Sequence, residues 1–383
     1  MNIRNTMLCI SFSLAASAYG ADPIKIGIPV GLSGANSVIA PSVVQASQLA
    51  VDEINSRGGV LGRPLQLEIA DDGSGAQGAQ RAYDSLVFQK KVDGIVAMET
   101  TAARNAGLPI INRGKVPLIY TSFYEGHSCS PWMYINAWVP EQQVAPIVDH
   151  FVSEYNAKRF FLIGNDYAFG RGMLKFTRDY VESKGGTVVG EVYLPIDGSD
   201  WTAVISQLRS ANPDALISST SGGAPNVTLA RQLRAAGISI PYGNYAVDES
   251  TAKSMREDAE GIYIVASYIS SIDSPANKAF LQSIKNKYGN SAEIPNELSV
   301  PQYDAIYAYA AAIKKAGSTE PKAVIEALGK VTVDGPRGSI IMNKQRHASL
   351  TMYLGQVSRD GSVKIIRSFA DVSPGEQCPQ FSN

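Results

Sequence analysis

Short, largely apolar runs alternate along this chain with longer segments whose apolar positions recur every three or four residues. The runs Ile24–Val30, Leu65–Ala70, Gly94–Ala97 and Val116–Tyr120 predict buried strands. The segments Ser37–Arg57, Gln77–Lys91 and Thr100–Arg113 predict the helices between them. The first helix stops at Gly58-Gly59, residues that accept a left-handed turn without penalty. Strands that are apolar throughout need cover on both faces, which points to a parallel sheet sandwiched by helices. After Pro140 the rhythm restarts: helix Gln142–Tyr155, strand Arg159–Gly164, helix Tyr167–Lys184, strand Thr187–Tyr193, helix Trp201–Ser210, strand Ala215–Ser219 and helix Asn226–Ala236. Strand Gly261–Ala266 precedes three helical stretches, Pro275–Tyr288, Val300–Ala316 and Lys322–Leu328. The last two apolar segments, Ser349–Ser358 and Ser362–Phe369, are joined by Arg359-Asp360-Gly361, a hairpin signal. The pattern thus gives two α/β units, and the late helices lack a sheet of their own unless the chain returns to the first unit.

The first twenty residues change the picture. Arg4, the apolar stretch Met7–Ala16 and the small-x-small pattern Ala18-Tyr19-Gly20 read as a removable export signal over residues 1–20. The stretch is too short to span a bilayer, which takes about 20 apolar residues, and no later segment is apolar enough. The mature chain is therefore expected in the periplasm, without membrane insertion. The full sequence's 45% apolar and 18% charged residues and net charge of −1 give no reason to expect nucleic acid as a partner. Cys9 goes with the signal, leaving Cys129 and Cys378, which an oxidising compartment would pair; two buried or reactive thiols are the alternative. His127, His150 and His347 have no ligand spacing, so neither a metal nor any cofactor is expected.

Two stretches carry a resemblance. Ile24–Gly34 and the run Ala50-Val51-Asp52-Glu53-Ile54-Asn55-Ser56-Arg57-Gly58-Gly59-Val60-Leu61-Gly62-Arg63-Pro64-Leu65 resemble the opening of the periplasmic type I solute-binding proteins of branched-chain amino acid ABC transporters, and the likeness extends through Asn165–Gly170. Tyr124-Glu125-Gly126 with Ser130-Pro131, the segment Ala137–Ala145, and Gly335–Ile341 with His347-Ala348-Ser349-Leu350 lean toward the branch that binds urea and short amides. The resemblance implies a two-lobed α/β fold, each lobe a doubly wound and mostly parallel sheet, joined by a three-crossing hinge. It implies lobe one at 21–139 plus 269–345 and lobe two at 140–268 plus 346–383. It also implies a monomer that hands a small-molecule solute to permease subunits.

Ligands of open α/β sheets sit at the carboxyl ends of the strands. On lobe one that position offers Ser33, Asn36 and Ser37, then Glu99, Thr100 and Thr101, then Tyr120, Thr121 and Ser122. Thr101 and Ser122 stand where the family has ligand-binding hydroxyls. Helix capping accounts equally for Ser33–Ser37 and for Thr100 or Thr101, and core packing for Tyr120. On lobe two, Tyr167 and Phe169 fall where the family lays aromatic rings over its ligand, and Ser221, Gly222, Tyr245 and Asp248 follow later strands. Asp248 would pair with an ammonium group if it faced the cleft, or else cap the helix Glu249–Arg256. Glu99 departs from the amide-binding pattern, which has an uncharged aromatic there, and so admits a cationic or amine-bearing ligand.

The expected function is capture of a small nitrogenous solute (urea, a short amide or an amino acid) for an ABC importer. Branched-chain or aromatic amino acids and aromatic acids are alternative ligands, and a secreted sensor signalling through a membrane partner is the alternative role. An enzyme is not expected: no nucleophile elbow, metal-ligand His pair or phosphate loop is present.

Overall fold

A computed structural model describes residues 22–73 and 75–381; the export signal expected at residues 1–20 lies outside the described residues. The first α/β unit runs β1 (Ile24–Val30), α1 (Ala40–Ser56), β2 (Leu65–Asp71), α2 (Ala76–Asp84), β3 (Gly94–Ala97), α3 (Thr101–Gly114), β4 (Leu118–Tyr120) and β5 (Met133–Ile135). The second runs α4 (Pro140–Tyr155), β6 (Arg159–Asn165), α5 (Ala168–Ser183), β7 (Thr187–Leu194), α6 (Thr202–Ala211), β8 (Ala215–Ser219), α7 (Ala224–Ala235), β9 (Tyr242–Asn244), α8 (Glu249–Met255) and β10 (Tyr263–Ala266). Then follow α9 (Pro275–Tyr288), α10 (Ser299–Ala316), α11 (Pro321–Leu328) and four strands, β11 (Thr332–Gly335), β12 (Gly338–Ile341), β13 (Leu350–Val357) and β14 (Val363–Val372).

The sheets explain the hydrophobic pattern. One is wholly parallel in the order β2-β1-β3-β4-β5, and its central strand β1 is buried along its length except at Lys25. The other has the order β14-β13-β10-β9-β8-β6-β7, parallel from β7 to β10, with the antiparallel β13–β14 hairpin on its far edge. Helix α10 returns to the first sheet, packing on α1 and over β3. Its Tyr309 ring lies so close to Gly94 that a Cβ there would meet it at 2.3 Å. The late helices therefore finish the first sheet, and the architecture is the two-lobed α/β fold.

Several boundaries differ from the sequence reading. Helix α1 starts at Ala40 rather than Ser37, because the Asn36 carbonyl accepts from both Ile39 and Ala40 N–H and holds the chain in a turn. The expected helix 77–91 ends as α2 at Asp84 and continues as a π-helical turn, Ser85–Gln89, that buries Leu86 and Val87. Strand β5 and the β11–β12 hairpin were not expected. Each strand is only three or four residues long, too short to show a period.

The segments linking the two sheets are held by buried polar contacts. Arg337, in the β11–β12 turn, pairs with Asp304 of α10 at 2.7 Å and donates to Ser267 Oγ at 2.8 Å and to the Asn136 carbonyl at 2.7 Å. One guanidinium thus ties the chain leaving β5, the chain leaving β10 and its own hairpin. Cys129 and Cys378 form a disulfide with Cα atoms 5.8 Å apart, fastening the tail after β14 to the segment after β4.

Candidate functional site

A cleft with a cavity volume of about 30 Å³ lies between the carboxyl ends of the two sheets. From the first sheet it takes Asn36 and Ile39 after β1, Met98, Glu99, Thr100 and Thr101 after β3, and Ser122 and Phe123 after β4. From the second it takes Tyr167 and Phe169 after β6 and Ser221 and Gly222 after β8; Leu298 comes from the chain entering α10. Most of these side chains are buried.

Each polar group has a reason for its place. Thr100 is the N-cap of α3, its hydroxyl accepting from Ala103 N–H at 3.2 Å. The cap takes the Ala103 N–H, and the N–H groups before it at the start of α3 have no partner within the helix and can meet an anion. The Thr101 hydroxyl itself donates to Glu125 Oε2 at 2.7 Å. Ser122 Oγ accepts from Glu99 N–H at 3.0 Å and locks the ends of β3 and β4 together. Asn165, at the end of β6, accepts Ser221 N–H at 2.8 Å through its side chain, which fixes the loop presenting Ser221 and Gly222.

Glu99 is 1% exposed. Its Oε1 accepts from the Tyr83 phenol at 2.5 Å, and its Oε2 has no hydrogen-bond partner among the described residues. Burial, then the Asp72 carboxylate, pushes its proton affinity well up; the Tyr83 hydrogen bond and the Arg104 guanidinium oppose this. Arg104 is committed elsewhere. It lies 4.9 Å from the Tyr120 ring centre and 4.4 Å from that of Tyr124, and it pairs with Glu125 at 3.5 Å. No Lys, Arg or His lines the cavity.

Aromatic rings form a row from the hinge into the site. Trp138 stacks on Phe123 with centres 4.3 Å apart, Phe123 lies 5.4 Å from Phe169, and Phe169 lies 6.0 Å from Tyr167. Tyr167 precedes α5 and its phenol faces Ser221; burial raises its pKa.

The structure therefore gathers Glu99, Thr100, Thr101, Ser122, Tyr167, Phe169 and Ser221 around one space. It places five other candidates elsewhere. Ser37 is exposed in the turn before α1, its N–H bonded to Gly34. Tyr120 is core, its hydroxyl donating to the Glu99 carbonyl at 2.9 Å. Thr121 donates to Gln302 at 2.7 Å under α10. Tyr245 meets Thr177 at 2.8 Å behind the site. Asp248 caps α8, accepting from Ser250 and Thr251 N–H, which settles it as a cap. Ile39, Met98 and Leu298 were missed, since an apolar residue at a strand end or before a helix carries no signal that separates lining from core. Among the described residues no cluster of His, Cys, Asp and Glu could hold a metal, and no helix is long and apolar enough to cross a membrane.

A family model described as periplasmic binding protein matches residues 23–362. The Leu/Ile/Val-binding protein homolog 6 of Brucella abortus (strain 2308) is 23% identical over 357 residues, covering 91% of each chain. Among solved structures, a leucine binding protein from Thermotoga maritima superposes with a TM-score of 0.82 at 24% identity, covering 91% of this chain and 99% of that one. An R. palustris ABC transporter solute binding protein in complex with benzoate gives a TM-score of 0.84 at 19% identity, covering 93% and 98%.

Proposed function

Since the chain belongs to the periplasmic binding protein family, we propose that it is the extracytoplasmic receptor of an ABC importer, capturing a small organic solute by lobe closure and delivering it to membrane permease subunits. The observation that carries this is the cavity lined by groups from both lobes. A solute that touches both lobes stabilises the closed form over the open one by its differential contacts. We assign lobe one to 21–139 plus 269–345 and lobe two to 140–268 plus 346–383, so that the three linking segments act as the hinge and the protein works as a monomer in the periplasm.

The ligand reading follows the chemistry of the lining. The start of α3 and the Ser122 hydroxyl receive a carboxylate; Ile39, Met98, Leu298 and Phe169 receive an apolar body. An amino acid or an aromatic acid has both parts, and relatives named for branched-chain amino acids or holding benzoate support that class. Urea and short amides, toward which three sequence segments lean, are the second reading. The small volume and the raised proton affinity of Glu99, whose acid form can hydrogen-bond an amide, favour it.

The test is a thermal-shift screen of ligand-stripped protein with L-leucine, L-valine, benzoate, acetamide and urea, repeated on Tyr167→Ala. A ligand at 100 times its Kd stabilises by roughly 2.7 kcal/mol. Stabilisation by one class, lost in Tyr167→Ala while the unliganded melting point holds, is expected. A response that Tyr167→Ala leaves unchanged would remove this cavity as the site.

A further inference from the structure

Glu99 is pinned everywhere except at one atom. Its N–H donates to Ser122, its carbonyl accepts from Tyr120, and its Oε1 accepts from Tyr83. Only Oε2 is left, buried without a hydrogen-bond partner among the described residues, on a residue that lines the cavity. A buried carboxyl oxygen left unmatched is costly, and a fold that holds it so rigidly has placed it for a group not yet present. The surroundings say which group. Asp72, a second buried acid, acts on Glu99 electrostatically, and the lining contains no cationic side chain.

Resting on the solute-capture reading above, we propose that Glu99 is the counter-group for a protonated amine, so that the solute class is one carrying a primary ammonium. The ammonium donates to Oε2 while Tyr83 holds Oε1. This marks a specificity determinant on lobe one.

The groups facing Glu99 are Asp72 after β2, Tyr83 on α2, Arg104 on α3 and Tyr120 on β4. Burial and Asp72 outweigh Tyr83 and Arg104 and so favour the protonated acid. An ammonium group needs the carboxylate and expels that proton to solvent. Amine capture then strengthens as pH rises, by up to about tenfold per pH unit. A carboxylate or amide oxygen bound to the acid form would show the opposite sign.

The experiment is calorimetric titration of ligand-stripped protein with L-alanine, L-valine and methylammonium against acetamide and benzoate. It is run in two buffers of different ionisation heat and at pH 6, 7 and 8. Expected are tighter binding of one or more amines than of acetamide or benzoate, with up to one proton released per amine. Glu99→Gln, which keeps the Tyr83 hydrogen bond, should weaken amine binding on the order of 10- to 100-fold and abolish the release. Should that variant not fold, the proton count on the unaltered protein still decides. Tightest binding by acetamide or benzoate, or amine binding without proton release, overturns the amine assignment and leaves solute capture standing. Silence from every amine also overturns it, and silence from the whole panel withdraws support from both.

Discussion

Gly172 on α5 offers a way to separate closure from stability. A Cβ at this position would lie 2.5 Å from Glu125 Cβ and 3.0 Å from its Cγ. Glu125 belongs to the segment after β4 and is held by Thr101 and Arg104 of α3, so the approach is one lobe against the other. Gly172→Ala therefore collides with a side chain near its root, where a rotamer change gives little relief. Overpacking of this kind costs about 1–3 kcal/mol, and the cost falls on the closed form alone. Solute affinity should drop on the order of 5- to 150-fold. The unliganded, open protein escapes the clash and gains about 1 kcal/mol from replacing glycine inside a helix. The variant should thus melt at the same or a slightly higher temperature without solute, yet bind more weakly. Calorimetric affinity for whichever solute the screen identifies, with scanning calorimetry of the free protein, gives both numbers. Unchanged affinity would refute the argument, because Gly172 and Glu125 would then not meet through closure. A large loss of unliganded stability would refute it as well, since the clash would be present in every state.

Two further perturbations probe the hinge. Arg337→Met leaves Asp304 buried without its partner and strips donors from Ser267 and Asn136, a loss of about 3–5 kcal/mol. Adding Asp304→Leu should recover much of it, and denaturant unfolding that shows no such recovery would mean the two residues act independently. His347 is buried, with Nε2 2.7 Å from the Tyr124 hydroxyl and Nδ1 2.8 Å from the Gln345 carbonyl. Burial lowers its pKa from 6.5 to about 4, with His127 and Arg104 adding to the shift and the Gln345 contact opposing it. The unfolded chain binds the extra proton first, so stability is full above pH 6.5, falls between 6.5 and 4, and has lost about 3 kcal/mol below that. His347→Gln should flatten this part of the profile; an equal slope in the variant assigns it to other groups.

The fold was legible because its interior strands are buried. Ile24–Val30 and Ala215–Ser219 show as largely apolar runs at their observed bounds, and Pro275–Tyr288 is marked by its proline start. What a period cannot show is an element shorter than the period needs, hence the missed β5, β11 and β12. Nor does it show a turn that delays a helix, as at Asn36–Ile39. The family resemblance supplied the return of α10 to the first sheet, which spacing alone could not.

The site divided along a different line. Strand ends are readable, so the loops after β1, β3, β4, β6 and β8 were found; which residue of each loop turns inward is set by contacts far away in sequence. Thr121 and Tyr120 follow the same strand as Ser122, yet Gln302 takes one hydroxyl and the Glu99 carbonyl takes the other. Asp248 had two roles open to it, and the N–H groups of Ser250 and Thr251, two and three residues on, claimed its carboxylate for α8. Glu99 had no such local claimant. Its neighbours Thr100 and Thr101 went to the α3 cap and to Glu125, Tyr83 arrived from α2 to hold one oxygen, and the other was left toward the solute. Glu99 is where sequence reasoning had most to say about the ligand. The fold around it explains why: every hydrogen bond Glu99 makes fixes its position, and none uses the atom that would recognise an amine.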